Sequence, residues 1–237
     1  MTRLGTTRGV AATPSPIFGA FGPGLRWLVG ALVAGAAIGR VDAAASCTYK
    51  SASLPAGQCG AWVDFFDGTE GANWMNSAGL LNCSRLDPCG CQYSGYGTDY
   101  GITCNADGNT IQKISLDNCN LQGMLPESLA AWVDITFFSV SGNGLTGSVP
   151  AAVAEAWMNL TAFYVDKNKL SGGALPALPF AQMFPIWGCR LLDYHYGGTN
   201  SFSCPWPEGA TEVCSKYVQN GSYTGYALVT DSDCNAG

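Results

Sequence analysis

Two stretches of this chain say the same thing in the same order. "LDNCNLQGMLPESL" ends a run that begins at Ile111, and "VSGNGLTGSVPAAV" ends one that begins at Ile135. Ile111, Ile114 and Leu116 lie over Ile135, Phe138 and Val140; Cys119 over Asn143; Leu121 over Leu145; Gly123 over Gly147; Pro126 over Pro150; Leu129 over Val153. A third copy supplies Leu160, Phe163, Val165, Asn168, Leu170 and Gly172, then one inserted residue before Leu175 and Pro176. Self-similarity at a period of about 20–29 residues, patterned L-x-x-L-x-L-x-x-N-x-L, is the mark of a repeat architecture. One such unit cannot bury its own apolar side, so neighbours must stack.

Each position has a physical reason. The spacing from Ile114 to Leu116 is that of a strand, which turns Ile114 and Leu116 inward and Lys113, Ser115 and Asp117 outward. Asn143 and Asn168 carry both donors and an acceptor, enough to satisfy backbone groups where the chain turns inside a stack that water does not reach. Cys119, a weak donor of similar size, takes that slot in the first copy. Gly123, Gly147 and Gly172 suit close backbone approach or positive φ, and Pro126 and Pro150 fix an extended segment.

These residues resemble a plant-type leucine-rich repeat, which adds L-x-G-x-[IVL]-P after the Asn. The likeness extends upstream: an amphipathic helix from Ala61, then Thr69, Gly71, Trp74, Asp87, Pro88, Cys89, Gly101, Ile102 and Cys104 resemble the amino-terminal cap of such domains. An inserted "GCQYSGYGTDY" leaves the partner of Cys104 open. Downstream, Asn200, Phe202, Cys204, Pro205 and Pro207 resemble the closing motif, with Phe202 and Trp206 expected to cover the apolar end. The resemblance implies an α/β solenoid: a short right-handed coil of about three 24-residue repeats over 111–180, between disulfide-stapled caps at 46–110 and 181–237. It also implies recognition at the cell exterior, of the kind performed by plant receptor ectodomains and protist leucine-rich surface antigens.

Export is legible independently. Trp27 to Ile38 is an apolar run flanked by Arg26 and Arg40 and followed by Ala43-Ala44-Ala45, the three parts of a secretory signal over 1–45. The run is shorter than a membrane span needs, so membrane association is expected only through an uncleaved signal or a carboxyl-terminal anchor. All 11 cysteines follow the signal. Six precede the repeats (Cys47, Cys59, Cys83, Cys89, Cys91, Cys104), Cys119 lies inside them, and four follow (Cys189, Cys204, Cys214, Cys234), so each end holds an even number for disulfides. Zinc at Cys89-x-Cys91 is disfavoured by the single histidine and the oxidising destination, and no cofactor is implied. Asn82, Asn159 and Asn220 each begin an N-glycosylation triplet. Without the signal, seven basic residues face 16 acidic ones, a net charge of −9 that disfavours nucleic acid and anionic membranes.

Catalysis has weak support. His195 beside Asp193 reads as a loop residue, and Asp64, Asp67 and Glu70 read as the polar face of the cap helix. The binding expectation rests on the outward strand row: Lys113, Ser115 and Asp117; Phe137, Ser139 and Ser141; Tyr164 and Asp166. Two large aromatics among small polar residues favour a protein, peptide or glycan ligand. The competing expectations are a structural surface or wall component and, less favoured, a hydrolase.

Overall fold

The computed structural model describes residues 45–75, 81–93, 100–194, 200–220 and 223–235. The expected signal segment, up to Ala44, and His195 lie outside them.

One nine-stranded sheet organises the molecule, in the order Leu81–Ser84, Asp87–Tyr93, Gly101–Cys104, Ile111–Ser115, Phe137–Ser139, Ala162–Tyr164, Cys189–Asp193, Cys214–Asn220 and Tyr223–Leu228. The middle of this order is a parallel ladder. Ile114 pairs with Phe138, Phe138 with Phe163, and Phe163 with Cys189. Antiparallel strands close both ends: Gly101–Cys104 pairs with Ile111–Ser115, and Tyr223–Leu228 with Cys214–Asn220. A parallel ladder left open would offer its edges to other chains, and the caps cover them.

The repeated apolar positions form one interior. Ile111, Ile114, Leu116, Leu121, Ile135, Phe138, Val140, Leu145, Leu160, Phe163, Val165 and Leu170 are all fully buried in a single cluster. Fully burying one such side chain stabilises by about 1.5–3 kcal/mol, so a coil without a neighbour would lose most of its reason to fold.

The asparagines hold the turns. Asn143 donates to the carbonyls of Leu116 (2.9 Å) and Val140 (2.8 Å) and accepts from the amides of Cys119 and Leu121 (3.0 Å each). Asn168 repeats the pattern one coil on, donating to Val140 and Val165 and accepting from the Leu145 amide. Asn200 repeats it again, donating to Val165 and Leu191 and accepting from Leu170. Cys119 makes only the weakest of these bonds, its thiol reaching the Asp117 carbonyl.

The ladder therefore continues beyond residue 180, where sequence reading placed its end. Ile186, Cys189 and Leu191 repeat the Leu160, Phe163 and Val165 spacing. Nine positions, rather than three, separate Leu191 from its asparagine, Asn200. That insertion hides the coil from a period search.

After each of these turns the chain adds a short strand of a second parallel pairing, Gln122–Met124 with Gly144–Thr146 and Ser171–Ala174 with Ser201–Ser203. Gly123 sits here at φ +84°, where a side chain would meet the Gly68 carbonyl of the cap.

The amino-terminal cap is built on helix Ala56–Gly68, which buries Trp62, Phe65 and Phe66. Its Gln58 receives the otherwise unmatched Ile111 amide (2.9 Å), and Trp132 of the first coil donates back to the Gln58 carbonyl (3.2 Å). The Thr69, Gly71, Trp74 motif has a direct cause. The Thr69 hydroxyl closes the helix on the Phe65 carbonyl (2.6 Å), the Trp74 indole donates to the Thr69 carbonyl (2.8 Å), and any side chain at Gly71 would strike the Phe66 ring. Asp64, Asp67 and Glu70 are exposed, and Asp67 forms a two-pronged pair with Arg85.

Disulfides join Cys47 to Cys59, Cys83 to Cys91 and Cys89 to Cys104 in this cap, and Cys189 to Cys214 and Cys204 to Cys234 at the other end. Cys119 is free and buried. Phe202 and Trp206 are buried together, and the Trp206 indole donates to the Thr230 carbonyl (2.9 Å).

Candidate functional site

The strand register puts side chains of successive coils side by side. Lys113 pairs with Phe137, and Ser115 with Ser139, which in turn pairs with Tyr164 and then Arg190.

The row is less open than the alternation of side chains implies. Ser139 is fully buried, Asp166 is 2% exposed and Ser115 5%. This corrects the expectation that all eight residues face solvent. Alternation assigns a side of the sheet, but neighbouring rings and the next strand then cover the small residues. What remains accessible of the expected set is Lys113, Asp117, Phe137, Ser141 and Tyr164, each half-buried.

Two layers result. The outer layer alternates cations and rings. The Lys113 ammonium stands 4.7 Å from the Phe137 ring centre, Phe137 meets Tyr164 edge to face at 5.3 Å, and the Arg190 guanidinium lies 4.4 Å from the Tyr164 ring. Arg190 also touches the rings of Tyr226 (4.8 Å) and Trp187 (5.8 Å), and Tyr217 packs on Tyr226 at 5.1 Å. Contacts of this kind are worth about 0.5–2 kcal/mol each, enough to fix the long cationic chains in one geometry. The Tyr164 hydroxyl donates to the Trp187 carbonyl, tying the third coil to the fourth.

The inner layer is acidic. Asp117 accepts from the Ser139 hydroxyl (2.5 Å) and the Ser141 amide (2.8 Å), and the Ser141 hydroxyl donates onward to Asp166 (2.5 Å). Lys167 reaches the buried Asp193 at 3.4 Å. Burial pushes the Asp117 and Asp166 carboxyls above the usual range against the pull of their serine hydrogen bonds, and each feels the repulsion of another acid in the stack. Burial likewise raises the Tyr164 and Tyr226 phenols, with Arg190 opposing.

Sequence reading missed Arg190, Trp187 and Tyr226. All three belong to the coil concealed by the insertion or to the hairpin after it. The available signal was the Ile186-x-x-Cys189-x-Leu191 spacing, which puts Arg190 between two inward positions and so on the outer side.

Asn82 and Asn159 are exposed, as an acceptor of a glycan must be, while the Asn220 side chain lies outside the described residues. Among the described residues there is no group of three or more His, Cys, Asp or Glu side chains that could hold a metal ion, and no helix long and apolar enough to cross a membrane.

Residues 110–132, the first coil, match the family model "Leucine Rich Repeat". One coil of the chain therefore matches a leucine-rich repeat. No curated protein sequence matches the chain. Among solved structures, the domain is similar to PEPR1 in the PEPR1-AtPEP1 structure, with 16% identity and a TM-score of 0.43 over 68% of this chain and 24% of that one. It is also similar to the ectodomain of the receptor kinase SOBIR1 from Arabidopsis thaliana, with 15% identity and a TM-score of 0.43 over 66% of this chain and 86% of that one. A third is the GASSHO1/SCHENGEN3 ectodomain of the same plant, at 16% identity and TM-score 0.44, covering 68% and 20%. The chain thus spans about a quarter of the PEPR1 chain and most of the SOBIR1 ectodomain.

Proposed function

We propose that this leucine-rich repeat domain is a recognition module of the cell exterior, binding a protein, peptide or glycan through the outer side of its strand ladder. In this reading residues 1–45 are a signal, 46–110 and 181–237 are caps, and 111–180 carry three repeats of about 24 residues in a right-handed coil, which makes one further turn at the start of the carboxyl-terminal cap. Asn82, Asn159 and Asn220 carry glycans, and five disulfides suit an oxidising compartment.

The observation that carries the reading is the continuous row from Lys113 through Phe137 and Tyr164 to Arg190, in which cations and rings hold one another in place without closing over the surface. A rigid aromatic and cationic surface loses little conformational entropy on binding, and aromatics and arginine are the residues enriched where partners meet. Of the eight residues expected from sequence, the half-exposed Lys113, Phe137, Tyr164, Asp117 and Ser141 touch the ligand in this reading. Ser115, Ser139 and Asp166 support them from beneath.

The test is a screen of peptide and glycan arrays with the secreted chain and its Phe137→Ala/Tyr164→Ala variant. A ligand that the variant no longer binds supports the reading. Equal binding by both proteins removes the site from the strand face.

A further inference from the structure

Arg190 is set differently from the other cations of the surface. Three rings, Tyr164, Tyr226 and Trp187, lie within 5.8 Å of its guanidinium. Yet among the described residues it makes no ion pair, and its Nε is buried with no hydrogen-bond partner. The carboxylates that feel its charge, Asp117 and Asp166, accept from Ser139 and Ser141 instead. A guanidinium carries five N–H donors, all in its own plane, and burying such a donor unsatisfied is costly. Rings fix the plane of the group but accept none of those hydrogens in the way an oxygen does. The enclosed Nε is out of a ligand's reach, and the terminal nitrogens of the same plane are left to meet an acceptor the chain does not supply. A carboxylate fits best, because its two oxygens match the guanidinium fork.

Beside it stands Trp187, 57% exposed, with its indole 5.8 Å from the Tyr226 ring. A flat, open indole next to a fixed guanidinium matches a pyranose ring bearing a carboxylate: the apolar C–H side of the sugar rests on the indole while its acid group meets the fork. An extended peptide would gain most from main-chain bonds to a free strand edge. Within the ladder Phe163, Val165 and Tyr194 already give their amides to neighbouring strands; the open edge is that of Tyr223–Leu228, the last strand of the sheet, and a peptide control tests for binding there.

Resting on the strand-face reading above, we infer that Arg190 and Trp187 form a subsite for a hexuronic acid unit of an acidic glycan. Tyr164 and Tyr226 act as positioning residues that hold the guanidinium. Lys113 adds positive charge further along the row, so affinity falls as salt rises.

The test uses the secreted full chain and calorimetric titration with tetrauronates (mannuronate, galacturonate, glucuronate), each beside its neutral parent tetrasaccharide, with tetraglutamate as a peptide control. A tetrauronate binds, and its neutral parent binds at least about tenfold more weakly, the loss of a charge-assisted pair. Arg190→Gln and Trp187→Ala each weaken uronate binding by at least about tenfold, and Arg190→Lys does not restore it, because a point charge lacks the fork. Trp187→Ala alters an exposed side chain, and a melting curve for each variant separates lost binding from lost folding. Equal binding of the neutral parents overturns the inference, as does binding of tetraglutamate alone, of no tetrauronate, or of uronates undiminished in Arg190→Gln. If an array ligand depends on Phe137 and Tyr164 but is not a uronate, the subsite falls and the strand-face reading stands. If uronate binding depends on Arg190 but not on Phe137, the subsite stands and the wider face is wrong.

Discussion

The side chains of Asn143 and Asn168 donate to the same atom, the Val140 carbonyl oxygen, at 2.8 and 2.9 Å from consecutive coils. Val165 is shared in the same way by Asn168 and Asn200. Each asparagine thus bonds its own turn and the one before it, and the coils are joined by these bridges as well as by their ladder. Asn168→Ala leaves both carbonyls one remaining donor but strands the buried Leu145 amide. It is expected to lower unfolding free energy by about 2–3 kcal/mol in urea titration, against less than about 0.5 kcal/mol for the exposed Lys169→Ala.

The bond between Cys189 and Cys214 joins paired positions of neighbouring parallel strands, 25 residues apart in sequence. Replacing both with alanine frees that loop in the unfolded chain and is expected to cost about 3 kcal/mol, read as a lower denaturation midpoint with a somewhat steeper slope, because the freed unfolded chain exposes more surface. A shallower slope would mean instead that the closing strands had detached.

The interior of the coils was legible because every repeated apolar position is a buried one, and burial is what the period records. The caps were legible through motif residues whose causes are local, such as Thr69 and Trp74. The covering of Ser139 and Asp166 was not: it depends on which neighbour lies across the strand, and period-two alternation carries no such information. Arg190 was hidden by the insertion before Asn200, and its contacts with Tyr226 join strands 36 positions apart, between 190 and 226. Disulfide pairing was hidden for the same reason, since only the folded chain brings Cys89 to Cys104.

Cys119 occupies an asparagine slot as a thiol pushed up to about 12 by burial, with Asp117 adding to the effect. It is expected to resist iodoacetamide in the native protein at neutral pH and to react fully on unfolding, giving one added group by mass spectrometry only in denaturant. Rapid native labelling would place this residue at the surface.

Asp117 and Asp166 are raised in the folded protein, so they hold protons that the unfolded chain has already released. Their contribution is full below the ordinary aspartate range, near pH 4, and is lost as pH rises through the raised values. For Asp233, burial is outweighed by hydrogen bonds from Lys216 and Thr230, which leaves it lowered and its contribution present above that range. Urea titrations across the acid range should show Asp117→Asn/Asp166→Asn flattening the loss of stability on the rising side. An unchanged profile would mean that the two carboxyls are solvated.

The claim that matters most is that the outer side of the ladder is where this domain meets its ligand. Hydrogen–deuterium exchange on the full chain, with and without a ligand taken from the arrays, tests it directly. New protection is expected in peptides spanning residues 113–118, 137–142, 164–167 and 187–193. Protection confined to the opposite pairings, around 122–124, 144–146 and 171–174, would contradict it.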